Sequence, residues 1–150
     1  MRTVVAGAVA LALLAGCTAS NETPPAPCGS PVRTDALPEW ARAGFSGDGA
    51  GVPHVLGANG DLLAVVFGSP LSSPPSPGRN NKILWVSRQP VDGDPLVITA
   101  KLDGTGDQAE QQIAGGPGPS IVDLPRPGCW RLDLTWSGFT DSMDLVYQAG

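Results

Sequence analysis

Few groups in this chain are able to do chemistry: three cysteines (Cys17, Cys28 and Cys129), one histidine (His54) and fourteen acidic side chains. Serine-based acyl transfer needs a hydroxyl, an imidazole and an acid held in series. The composition supplies all three, but the turn that exposes such a serine is missing. "GFSGD" around Ser46 has its second glycine one place too early for a G-x-S-x-G elbow. His54 precedes a hairpin signal and reads as a strand position. At most two cysteines can pair with each other, and with one histidine and no C-x-x-C spacing a zinc site is not expected.

The paired carboxylates say little more. Asp92/Asp94 and Asp103/Asp107 lie in glycine-rich turns, where aspartate suits the backbone geometry for its own reasons. Read as a calcium loop, "DGTGDQAEQQIA" has Gln108 where glycine is needed and Ala114 where the bidentate acid belongs. A weaker loop-built calcium site at either pair is the alternative. Asp141 and Asp144 flank the last strand pattern and read as solvated strand-end charges. A glycosidase needs two acids across a cleft, and a small sandwich offers little cleft. No catalytic residue, no metal and no cofactor is therefore expected, and the chain reads as a binding protein and not an enzyme.

Binding turns attention to the tryptophans, Trp40, Trp85, Trp130 and Trp136. Flat indoles stack on sugar rings and are common at interfaces. Trp130 and Trp136 share a strand face with Leu132 and Leu134, which reads as core. Trp85 lies in "KILWV", apolar on both faces, and also reads as buried. Trp40 is left as the candidate contact residue.

The elements that must position these groups are strands. Glycine (20) and proline (16) sit between apolar runs, the pattern of strands separated by turns. "VPHVLG" and "DLLAVVFG" flank Asn59-Gly60, a hairpin signal. "KILWVS" and "PLVITAKL" read as a second hairpin-like pair around Asp92-Gly93. "CWRLDLTW" alternates cleanly, with Trp130, Leu132, Leu134 and Trp136 on one face and Cys129, Arg131, Asp133 and Thr135 on the other. "SMDLVYQ" sets Met143, Leu145 and Tyr147 together. "LPEWARAGF" is one short helical turn between Pro38 and Gly44. "SPLSSPPSPG" reads as a rigid proline-rich crossover, with a recognition strip as the sharper alternative. Roughly six or seven strands, about ten residues apart, predict an all-β fold: an immunoglobulin-like β-sandwich, with a small β-barrel as the alternative.

The formal net charge of −5 and the lack of a basic cluster argue against nucleic acid as a partner. The start of the chain looks like an export signal: Arg2, then the apolar run Val4–Leu14, too short to span a bilayer, then small residues. Leu14-Ala15-Gly16-Cys17 resembles the lipobox of bacterial lipoproteins. The resemblance implies a diacylglycerol on the Cys17 sulfur, cleavage between Gly16 and Cys17, and stable anchoring once a second acyl chain is added. An ordinary secretory signal with a chance cysteine is the alternative. With Cys17 so assigned, Cys28 and Cys129 are the pair left to form a disulfide, which export permits. It would close a loop of about 100 residues, worth up to ~4.7 kcal/mol by chain entropy. Two separate thiols are the alternative. Because Cys129 shares a face with charges, such a bond would lie on the outside or edge of a sheet.

"NKILWVSR", "GPSIVDLPRPGCWRLDLTWSG" and "DSMDLVY" resemble a group of exported bacterial proteins, many of them lipoproteins of Gram-positive and actinobacterial envelopes. The likeness implies a small β-sandwich outside the membrane and carries no activity with it. Three segments are thus expected: a signal peptide at 1–16, a lipidated Cys17 with a proline-rich tether to residue 27, and one sandwich domain at 28–150. Extended, Thr18–Pro27 reaches on the order of 30 Å. The expected function is that of a membrane-anchored accessory module that binds another envelope protein, with a carbohydrate or small ligand of the cell wall as the alternative. Its place is extracytoplasmic.

Overall fold

The structure, a computed structural model, describes residues 28–150. Cys17 and the segments expected at 1–16 and 17–27 lie outside the described residues. The described chain is all-β, with one 3-10 turn at Glu39–Ala41. Nine strands follow: β1 (His54–Leu56), β2 (Leu62–Val66), β3 (Leu71–Ser73), β4 (Lys82–Ser87), β5 (Leu96–Leu102), β6 (Gln108–Ile113), β7 (Pro119–Ile121), β8 (Gly128–Trp136) and β9 (Phe139–Ala149). They form a four-stranded sheet in the order β1-β2-β4-β7 and a five-stranded sheet in the order β3-β9-β8-β5-β6. All pairings are antiparallel except β3 with β9. The chain changes sheets five times, between β2 and β3, β3 and β4, β4 and β5, β6 and β7, and β7 and β8, as in an immunoglobulin-like sandwich.

The inner faces are those the alternation predicts. Trp130, Leu132, Leu134 and Trp136 of β8 and Met143, Leu145 and Tyr147 of β9 are buried against Val55, Leu62, Ala64, Ile83 and Trp85 of the other sheet. Each buried indole N–H finds an acceptor: Trp85 on Ser120 Oγ (3.0 Å), Trp130 on the Arg126 carbonyl (2.9 Å) and Trp136 on Ser87 Oγ (2.9 Å). β2, "LLAVV", is buried on both faces because residues before β1 cover its outer side. That explains why it reads as a solid apolar run and not an alternation.

Several expectations need correction. β4 and β5 are not a hairpin. They belong to different sheets, and the loop between them crosses over. That loop is held by Asp92, whose Oδ1 accepts from Ser137 Oγ (2.7 Å) and from the Asp94 N–H (3.0 Å). Ser137 sits in the two-residue β8–β9 turn with φ 46°, followed by Gly138 at φ 78°, the left-handed pair a tight hairpin requires. The proline-rich crossover contains a strand, β3, and the failed calcium loop contains another, β6. Both lack an apolar pattern long enough to see.

Asp141 is a further correction, since it is buried within β9 and not solvated. Its Oδ1 accepts from the N–H groups of Asn59 (2.8 Å) and Ser142 (2.8 Å), and its Oδ2 from those of Asp61 (3.0 Å) and Leu62 (3.0 Å). The carboxylate thus closes the β1–β2 loop onto the opposite sheet. A side chain at Gly57 would overlap it, so glycine is needed there.

Candidate functional site

Residues 28–53 form a strap around one side of the sandwich. It begins on the outer face of the five-stranded sheet, where Cys28 is bonded to Cys129 with Cα atoms 5.6 Å apart. Beside the bond Asp144, also expected to be solvated, is buried. It accepts from the Gly29 N–H at Oδ2 (2.7 Å) and from Arg131 Nε at Oδ1 (3.1 Å), while its own N–H donates to Ser30 Oγ (2.8 Å). The Asp144 carboxylate holds the Arg131 guanidinium above its ordinary pKa by hydrogen bond and charge. A hollow of about 390 Å³ opens here, lined by the disulfide with Lys101, Asp103, Arg131 and Asp144. The sulfurs of Cys28 and Cys129 and a carboxylate oxygen of Asp144 lie within 4.8 Å of one another, but the sulfurs are committed to each other.

The strap then passes a smaller apolar hollow of about 200 Å³, between Val32, Pro70 and Val146, and pairs Arg33 with His54 at the rim of β1. His54 is buried in β1, as the sequence suggests. Its Nδ1 lies 2.8 Å from the Val52 carbonyl, and its Nε2 lies 3.7 Å from Asp35 Oδ1. Asp35 in turn is hydrogen-bonded by Arg33, which lowers its pKa. No hydroxyl is bonded to either ring nitrogen among the described residues, and Ser46 lies in an exposed loop. The catalytic constellation is not assembled around His54.

Beyond Arg33 the strap crosses the outer face of the four-stranded sheet. Leu37 and Ala41, the latter from the 3-10 turn, bury Leu63 and Val65 of β2. Coverage stops there. Leu84 and Val86 of β4 are half-buried, Pro119 is exposed, and Ile121 of β7 and Phe67 are 48% and 51% exposed. Trp40 is half-buried at the margin, packed on the Leu37–Leu63 cluster with Phe45, Leu84 and Val86. Phe45 stacks on Phe67 (ring centroids 6.3 Å), and the Lys82 ammonium sits over the Phe67 ring at 5.5 Å. Unlike the other three indoles, Trp40 donates to no acceptor among the described residues, and its N–H is not buried. This half-open apolar face is the candidate site. Trp40, the contact candidate offered by the sequence, lies at the margin of this face. Phe67 and Ile121 on the same face were not singled out there, because whether a lone aromatic or isoleucine faces out depends on where the strap ends.

No known protein family, no curated protein and no solved structure matches this chain. The class that can be stated is the one the topology defines, an all-β immunoglobulin-like sandwich.

Proposed function

We propose that the protein is an exported lipoprotein, held to the outer side of the cytoplasmic membrane through a diacylglycerol on Cys17, and that it serves as an accessory module for another envelope protein. The observation that carries the binding half is the apolar strip Trp40–Leu84–Val86–Ile121, left half-open where the strap ends. A partner's side chain laid there would bury apolar area at roughly 25 cal/mol per Å². Trp40 supplies what interfaces favour: a broad apolar body and a free donor at its edge. The lipobox resemblance supports the anchor, and a half-exposed disulfide suits an oxidising compartment. A cell-wall glycan is the second candidate for the same surface. Its case is thinner, because Trp40 packs among aliphatic and aromatic side chains, whereas sugar sites ring the indole with hydrogen-bonding groups.

The test places a photo-crosslinking side chain at position 121, or at exposed position 133 on the opposite sheet, in cells that make the anchored chain. One envelope protein captured from 121 and not from 133 is the expected result. Equal capture at both positions, or capture at neither, overturns the binding surface. Cys17→Ser is expected to release the chain from the membrane fraction, and membrane retention of that variant overturns the anchor.

A further inference from the structure

The two sheets have four edges, and three are closed by identifiable devices. At β1, His54 exchanges both backbone bonds with Arg33 (2.8 and 2.9 Å). At β3, the side-chain amide of buried Asn81 accepts from the Ser72 N–H (3.0 Å) and donates to the Ser72 carbonyl (2.9 Å), standing in for a neighbouring strand. At β7, Pro119 has no N–H to offer, and the outward carbonyl of Ile121 is taken by Gln111 Nε2 (2.8 Å).

β6 has no such closure. The bond from the Leu102 N–H to the Asp107 carbonyl sets the hydrogen-bonding phase of the β5–β6 ladder. By alternation, Ala109, Gln111 and Ile113 turn their backbone groups toward β5, and Gln108, Glu110 and Gln112 turn theirs outward. Those outward groups have no backbone partner among the described residues. The strand carries no proline, no lysine and one charge, so it also lacks the usual guards of an edge.

We infer that β6 pairs with β6 of a second copy of this chain, antiparallel, about a two-fold axis through Gln111. In that register each outward-bonding Glu110 faces Gln112 of the other copy, a carboxylate opposite an amide. An axis through Glu110 would instead set acid against acid. The five-stranded sheets of both copies then join into one. A two-fold axis normal to a sheet keeps like faces on the same side. The Cys28–Cys129 bonds, both on the outer face, therefore point the same way, an arrangement compatible with the proposed anchoring of both copies to one membrane. The half-open apolar faces around Trp40 point the opposite way. The dimer does not depend on the accessory-module reading, since it uses a different surface.

Sedimentation velocity of the full chain in mild detergent, from about 10 μM to about 1 mM, tests this. A concentration-dependent monomer–dimer equilibrium is expected. Gln112→Glu faces acid with acid in both symmetry-related pairs and is expected to weaken the dimer about fivefold. Gln112→Lys makes two ion pairs and is expected to tighten it about fivefold. Both changes are at an exposed position, and an unaltered near-UV circular dichroism spectrum shows that the fold is kept. A wild-type monomer throughout the range overturns the inference. So does a dimer whose affinity is unmoved, or moved in the same direction, by the two substitutions.

Discussion

Replacing Asp141 by asparagine is the sharpest perturbation of the scaffold, because it removes one charge and almost no volume. Both carboxylate oxygens are in use, each accepting from two backbone N–H groups at 2.8 to 3.0 Å. An amide can present only one acceptor oxygen, so its NH₂ must confront two N–H donors whichever way it turns. Hydrogen bonds to a charged group are worth about 1.5–3 kcal/mol each. The Asn59 and Asp61 donors lie at a loop surface and regain water when released, whereas Leu62 is fully buried and cannot. About 3 kcal/mol is therefore expected for Asp141→Asn, and a similar loss for Asp141→Ala. The assay is urea unfolding at pH 7, followed by tryptophan fluorescence. For a domain of this size the loss corresponds to roughly 10 °C in melting temperature. Gly57→Ala is expected to destabilise in the wild-type background and to cost less once Asp141 is alanine, since the overlap it creates is with the carboxylate. An Asp141→Asn midpoint within about 0.5 kcal/mol of wild type, the range of an ordinary surface substitution, refutes the reasoning.

Three further outcomes are expected. Tyr147 is the only tyrosine, its hydroxyl donates to the Val122 carbonyl (2.6 Å), and burial, with Asp123 nearby, raises its pKa. Because the folded state favours the neutral phenol, its contribution is complete below the unfolded pKa of about 10 and declines as pH rises above it. Titration of tyrosinate absorbance should show ionisation only with unfolding, and Tyr147→Phe should remove that alkaline loss while costing about 1 kcal/mol at pH 7. Trp130→Ala should cost about 3–5 kcal/mol and Trp40→Ala only about 1–2 kcal/mol, compared by urea midpoints. Reducing Cys28–Cys129 should cost up to ~4.7 kcal/mol, the loop spanning a sequence separation of 101, and dithiothreitol should lower the unfolding midpoint without unfolding the domain outright.

What the sequence disclosed follows from period. β8 and β9 alternate over a long stretch with one face in the core, so their buried residues could be named individually. β3 and β7 are three residues each, too short for a period of two to emerge, and both lie among prolines and serines. β6, "QAEQQI", has a single buried residue, so no apolar signal marks it as a strand. Asp141 and Asp144 were misread for a different reason. Sequence places a charge on a strand but does not show that the N–H groups of Asn59, Asp61 and Leu62, or of Gly29, will converge on it from some eighty and one hundred and fifteen residues away. Partnering, not residue type, decides whether a carboxylate is buried.

The same long-range pins explain how a small sandwich can present one face and withhold the other. The disulfide and the Asp144 cluster fix the start of the strap to the outer face of the five-stranded sheet, and Arg33–His54 turns it around the β1 edge. From there Leu37 and Ala41 cover β2 and leave β4 and β7 half-open. Had the strap been a few residues longer, Ile121 and Trp40 would have been sealed. The chain spends those residues instead on the glycine-rich turns at Gly44, Gly47, Gly49 and Gly51, all with positive φ, which fold the strap back toward β1. The disulfide and the uncovered strip thus lie on opposite outer faces of the sandwich, so under the anchoring proposed above the strip would be directed away from the membrane. If the proposed anchoring and partner binding hold, that orientation depends on Cys28–Cys129 and Asp144, and losing those pins should scramble partner capture at position 121 even while the core stays folded.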